Sequence, residues 1–202
     1  MALQYADPSV SRAKFERELA EYHELSDNYR QRGWLLAHVE FPRILVILAA
    51  PQVSPAVIVM GVDFDYSNYD AAPPSVRLVN PFTRVPYTFK ELPTPLNRGL
   101  PQQEIQLPGL PPDAPKMAIA AQQPYMQAYG PDDVPFLCLA GVREYHEHPA
   151  HSGDVWELHR PTGAGRLVRL LEVIHRYGIA PISGLGVQLI PQVRLNFGAP
   201  PQ

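Results

Sequence analysis

Cysteine is almost absent from this chain: there is one in 202 residues. A single thiol closes no internal disulfide, so nothing in the composition asks for an oxidising compartment. Runs of like charge are missing as well. The seventeen Lys and Arg are scattered, and the net charge is −3, which leaves no bulk electrostatic footprint for nucleic acid or an anionic membrane. Long apolar runs are also lacking, since the longest, 44–50, falls far short of the ~20 residues that cross a bilayer. The first residues, MALQYADPSVSRAKFERELAEYHEL, do not show the basic-then-apolar order of a secretory signal. These absences together predict a cytoplasmic protein that works on neither a membrane nor a nucleic acid.

What the sequence does have is a foldable balance, with 46% hydrophobic and 18% charged residues, and a surplus of proline. Twenty-four prolines are more than twice the share of about 5% found in ordinary chains. Proline removes a backbone donor and breaks helices, so its distribution marks where regular structure stops. The prolines crowd into 73–115 and return at 124–135.

The cleaner segments on either side carry the periodicity. Asp7 and Pro8 form a helix start, a capping residue followed by proline at the first helical position. Phe15, Leu19, Tyr22, Leu25 and Tyr29 then fall on one face, with Glu16, Arg17, Glu18, Glu21 and Glu24 elsewhere, predicting an amphipathic helix over 8–31 that Gly33 ends. Strands are predicted at 34–41, 43–50, 55–64 and 75–79, the second of them aliphatic throughout and so buried on both faces. Their short connections imply an antiparallel meander of about four strands packed on the helix, an α+β fold in one domain spanning 1–202. Residues 80–126 read as a long irregular arm. A loop of that length either serves a function, here docking a partner, or covers a sheet face. A short strand over 134–142, a second helix over 165–177 (Leu167, Leu170, Leu171 and Ile174 on one face) and an extended tail from 179 complete the expectation.

The chemistry concentrates in 130–160. Cys138 is followed by Glu144, His146, Glu147, His148, His151, Asp154 and His159, so four of the seven histidines lie within fourteen positions. Thiolate, imidazole and carboxylate are the ligand set of zinc and similar divalent metals. If 142–148 is extended, Glu144, His146 and His148 share one side, and Cys138 has the same parity. A bend at Gly141 would bring its sulfur to them, with His151 as substitute should Glu144 face solvent. Two plainer readings stand beside this one. A cysteine beside Phe136 and Leu137 is often a small buried hydrophobe, and histidines in a polar loop are often solvated. The HExxH arrangement of zinc hydrolases is missing. A Cys–His nucleophilic pair oriented by Asp154 fits the residue types.

The stretch resembles the predicted metal-binding domain family named for its Cys-Glu-His-His residues. Matching positions are Cys138, Glu144, His146 and His148, flanked by Arg143, Tyr145, Pro149, Gly153, Asp154 and Trp156, with Glu147 and Glu157 also close enough to carry the Glu. The wider layout is similar to the ubiquitin-conjugating (E2) fold: a helix, a meander, Pro73-Pro74 before a strand, an irregular segment with Cys138-Leu139, Trp156 downstream, then a helix. These resemblances imply a bacterial ubiquitin-like conjugation pathway, with a ubiquitin-like protein and the E1 or E2 conjugation proteins as partners. The E2 His-Pro-Asn that supplies the oxyanion donor is absent, because His148-Pro149 follows the cysteine and Ala150 stands where Asn would be. The implied role is therefore a non-catalytic, metal-binding accessory protein. The alternatives are an active E2-like enzyme with Cys138 as its thioester nucleophile, tuned by His146 or His148 and Asp154, and a metal-free interaction module.

Overall fold

The computed structural model describes residues 5–100, 103–105, 109, 111, 117–119 and 122–186. Asp7 caps the first helix by accepting from the Ser9 N–H, with Pro8 at the first position. The predicted single helix is two: α1 (Pro8–Glu24) and α2 (Ser26–Gln31), separated at Leu25. Leu25 lies half exposed at the break, and the buried stripe is Ser11, Phe15, Glu18, Tyr22 and Tyr29. Glu18, expected on the outer face, is 1% exposed.

Gly33 ends α2 with φ +83°, and a Cβ there would stand 2.3 Å from the Ala49 carbonyl oxygen. Only glycine permits both that backbone and that approach. The chain then enters β1 (Trp34–Glu40), β2 (Arg43–Ala50), β3 (Val57–Asp65) and β4 (Ser75–Val79), an antiparallel meander in spatial order β1-β2-β3-β4. The register pairs Ile44 with Phe64, Val46 with Val62 and Leu48 with Met60, then Phe64 with Val76 and Val62 with Leu78. Directly opposed residues share a face, so these eight build one apolar sheet surface, and all are at most 3% exposed. The expected α+β arrangement of a helix on a four-stranded meander is thus present.

Aromatic rings join that surface to the helices. Phe15 meets Tyr66 edge-on at 5.9 Å and Tyr29 stacks on Trp34 at 4.7 Å. Helix α5 (Leu167–Ile174) buries Leu167, Leu170, Leu171 and Ile174 and packs on α1; a π turn over His175–Ile179 continues it. The buried Glu18 carboxylate links the two helices. It accepts from the Leu167 N–H at 3.1 Å and the Tyr69 hydroxyl at 3.2 Å, beside the Arg17 guanidinium at 3.2 Å.

The proline-rich arm carries short pairs: β5 (Asn97–Gly99) with β8 (Gln122–Pro124), and β6 (Gln103–Ile105) with β7 (Met117–Ile119). β9 (Met126–Gln127) pairs with β10 (Phe136–Leu137). The strand predicted over 134–142 is only this two-residue β10, because Leu139 and Ala140 already turn. The extended tail predicted from 179 falls partly outside the described residues; up to residue 186 it holds no strand.

Candidate functional site

Cys138 follows β10 directly, and its N–H donates to the Tyr125 carbonyl at 2.7 Å. The loop after it is held from below. A Cβ on Gly141 would lie 2.0 Å from the Ala164 oxygen, so glycine lets this turn sit against the segment that leads into α5.

The next stretch departs from the sequence reading. Residues Arg143–Glu147 form a helix, α3, rather than an extended segment. Arg143 anchors it on the β3–β4 connection: its N–H donates to the Pro74 oxygen at 2.9 Å, and its guanidinium to the oxygens of Pro73, Asp65 and Ser67. Pro149 stops the helix by forcing His148 to extended angles, φ −78° and ψ 130°. With the strand parity gone, Glu144, His146 and His148 point three ways.

Glu144 turns to β4, where it accepts from the Ser75 hydroxyl and pairs with Arg77 at 3.2 Å. His146 lies between two carbonyls, with Nδ1 2.7 Å from the Asp154 oxygen and Nε2 2.6 Å from the Ala140 oxygen. Its two nitrogens thus tie the cysteine loop to the turn before α4 (Trp156–His159). His148 stacks on Phe136 and Tyr129, and its Nδ1 accepts from the Ala150 N–H. Cys138, Glu144, His146 and His148 are therefore not gathered into one coordination sphere. Among the described residues no three Cys, His, Asp or Glu side chains are grouped to hold a metal.

The substitute ligand is the one that meets the thiol. His151 Nε2 lies 3.6 Å from Cys138 Sγ. The His151 ring stacks on Tyr145 with centroids 3.9 Å apart, and the Tyr145 hydroxyl donates to Asp154 Oδ2 at 2.6 Å. His159 Nε2 meets the other oxygen of Asp154 at 2.5 Å. Trp156 fixes this end of the site by donating from Nε1 to the Asp70 oxygen at 2.8 Å. The Asp154 carboxylate, expected to orient a base, bonds the Tyr145 hydroxyl and His159 rather than the His151 ring, and it is the Tyr145 ring that stacks on His151. In the sequence Tyr145 stands only as a residue flanking the cluster. The spacing of positions 145 and 151 across a Pro-broken helix gave no periodic signal for the stack.

The electrostatics follow from these contacts. Burial pushes the Cys138 thiol above its ordinary pKa. The hydrogen bonds from Tyr145 and then His159 hold the Asp154 carboxyl below the usual carboxylate range. Burial, then the bond to Asp154, pushes Tyr145 up to about 12. At neutral pH the thiol is thus protonated, and it lies beside the His151 ring, which stacks on a tyrosine whose hydroxyl is held by Asp154.

Fold and site together define an α+β protein with a thiol–imidazole pair mounted on its β3–β4 connection. The chain belongs to the Y4jH-like family (the Y4jH family), which it matches over residues 6–182. It is similar to a protein of Sinorhizobium fredii (strain NBRC 101917 / NGR234) that bears the name uncharacterized protein y4jH. The two are 43% identical over 205 residues, 99% of this chain and 97% of that relative. Among the described residues no helix is long and apolar enough to cross a membrane.

Proposed function

We propose that this is an E2-like carrier protein in which Cys138 accepts an activated acyl group, the C-terminal carbonyl of a ubiquitin-like protein, as a thioester. The observation that carries the reading is the 3.6 Å approach of His151 Nε2 to Cys138 Sγ. Burial keeps the thiol protonated, so acceptance of an acyl group needs a base within reach. His151 takes the thiol proton while sulfur attacks the donor thioester, and the departing thiolate takes that proton back. The products are the Cys138 thioester and the donor's free thiol. An attacking amine later forms an amide and returns Cys138 to its thiol. The order of elements around Cys138, from α1 through the meander and Pro73-Pro74 to α5, supports assigning it the place of an E2 cysteine.

The test uses a synthetic peptide α-thioester and the full chain, read by mass spectrometry. A thiol-reversible adduct is expected, absent in Cys138→Ala and formed at least tenfold more slowly in His151→Ala. Failure to label, or equal labelling without His151, overturns the reading.

A second reading, the metal-binding accessory protein, is favoured by the same separation. Tetrahedral zinc with sulfur at about 2.3 Å and nitrogen at about 2.0 Å spaces such ligands roughly 3.5 Å apart. The donors this separation offers are Cys138 and His151, with Glu144 and His146 kept as structural groups. One equivalent of zinc in the purified protein, lost in Cys138→Ala and in His151→Ala, would establish this reading; zinc-free protein would end it.

A further inference from the structure

At the end of the site segment, a 380 Å³ pocket is lined by Arg17, Tyr69, Asp70, Arg160, Thr162 and Arg166, among others. Three guanidinium groups reach it from two elements, α1 and the turn before α5. Between Glu157 and Glu172 the sequence has no acidic residue but three arginines, 160, 166 and 169. The local charge is therefore positive in a chain whose net charge is −3.

The existing contacts leave much of that charge unanswered. Asp70, the acidic residue of the lining, is neutralised by Lys14. Arg17 lies beside Glu18, whose carboxylate is also engaged by the Leu167 N–H and the Tyr69 hydroxyl. Arg166 reaches Glu21 only loosely, at 3.6 Å. Arg160 has no side-chain hydrogen bond or ion pair among the described residues. Gly163, with φ +69°, turns the chain tightly between Arg160 and Arg166, and a Cβ there would meet the Arg166 side chain at 3.0 Å. The turn thus brings the two arginines to one rim. Arg169 holds it by donating to the Thr162 oxygen at 2.9 Å.

We infer that this pocket binds a phosphate group, held by Arg17, Arg160 and Arg166. Guanidinium forks match the oxygens of a tetrahedral dianion, and paired arginines are the usual means of holding one. The walls are mainly polar and offer little apolar surface for a nucleobase or an acyl chain, so the group is recognised as a small ion or a monoester rather than through a bulky substituent. The inference does not depend on the chemistry at Cys138.

Titration of the full chain with inorganic phosphate, by calorimetry at constant ionic strength in chloride, tests it. Saturable binding is expected, weakened at least tenfold in an Arg160→Ala, Arg166→Ala double variant and unchanged in His151→Ala. A parallel titration with O-phosphoserine separates a free ion from a monoester, and tighter binding of either assigns the source. Absence of saturable binding overturns the inference, and so does equal binding by the double variant. An unchanged circular dichroism spectrum and melting midpoint in chloride establish that the double variant is folded.

Discussion

The sheet with its two long helices and the segment from Cys138 to Thr162 are built on different principles. In the sheet, positions are set by burial: eight cross-strand residues are nearly inaccessible and contribute area rather than particular atoms. In the site segment no helix exceeds five residues; Val142 and Trp156 anchor it in the core, and the side chains of the site are positioned by named polar atoms and stacked rings. Burial tolerates a change of side chain if volume is kept, whereas a hydrogen bond to one carbonyl does not. The difference teaches that stability and chemistry are largely separable here, with the first carried by the sheet and the second by the segment mounted on it.

The largest effect that tests this separation is in the sheet. Phe64, with no exposed surface and opposite both Ile44 and Val76, should cost about 3–5 kcal/mol as Phe64→Ala, measured by urea unfolding. A loss below about 1.5 kcal/mol would mean that the sheet is not the seat of stability.

Next is the joint between the helices. Glu18→Ala removes the acceptor for the Leu167 N–H and the Tyr69 hydroxyl, and should cost about 2–3 kcal/mol. Glu18→Gln keeps an acceptor oxygen and should recover part of that loss. Equal unfolding curves for Glu18→Ala and the parent would remove Glu18 from the framework.

The same contrast explains what was legible in advance. Periodicity reports burial, so β2 and the apolar face of α5 could be read from the sequence. Glu18 could not, because its burial is compensated by partners that lie far away in sequence. The 142–148 segment alternates like a strand, yet Arg143 locks it as a helix onto Pro73 and Pro74, tertiary contacts with no local signature. The cysteine–histidine cluster was visible as composition. Which histidine meets the thiol is decided by the helix and by Pro149, and so His151, the substitute for Glu144, lies beside Cys138 while His146 and His148 do not.

The smallest expected effect lies at the thiol itself. Cys138→Ala should change unfolding stability by less than about 1 kcal/mol, since a half-buried side chain outside the sheet core leaves no large cavity. Its signature is chemical. Burial raises the Cys138 pKa, and the reactive species is the thiolate. Alkylation by iodoacetamide in the folded protein should therefore reach its half-maximal rate at higher pH than in urea, where the thiol returns to about 8.5. The sign follows from the charged form being the one that burial disfavours, so the folded curve lies to the alkaline side. A folded profile shifted instead to acid pH would mean that His151 forms a thiolate–imidazolium pair at rest. A large stability loss in Cys138→Ala would show that the site segment bears load after all, and the separation between the two regions would fail.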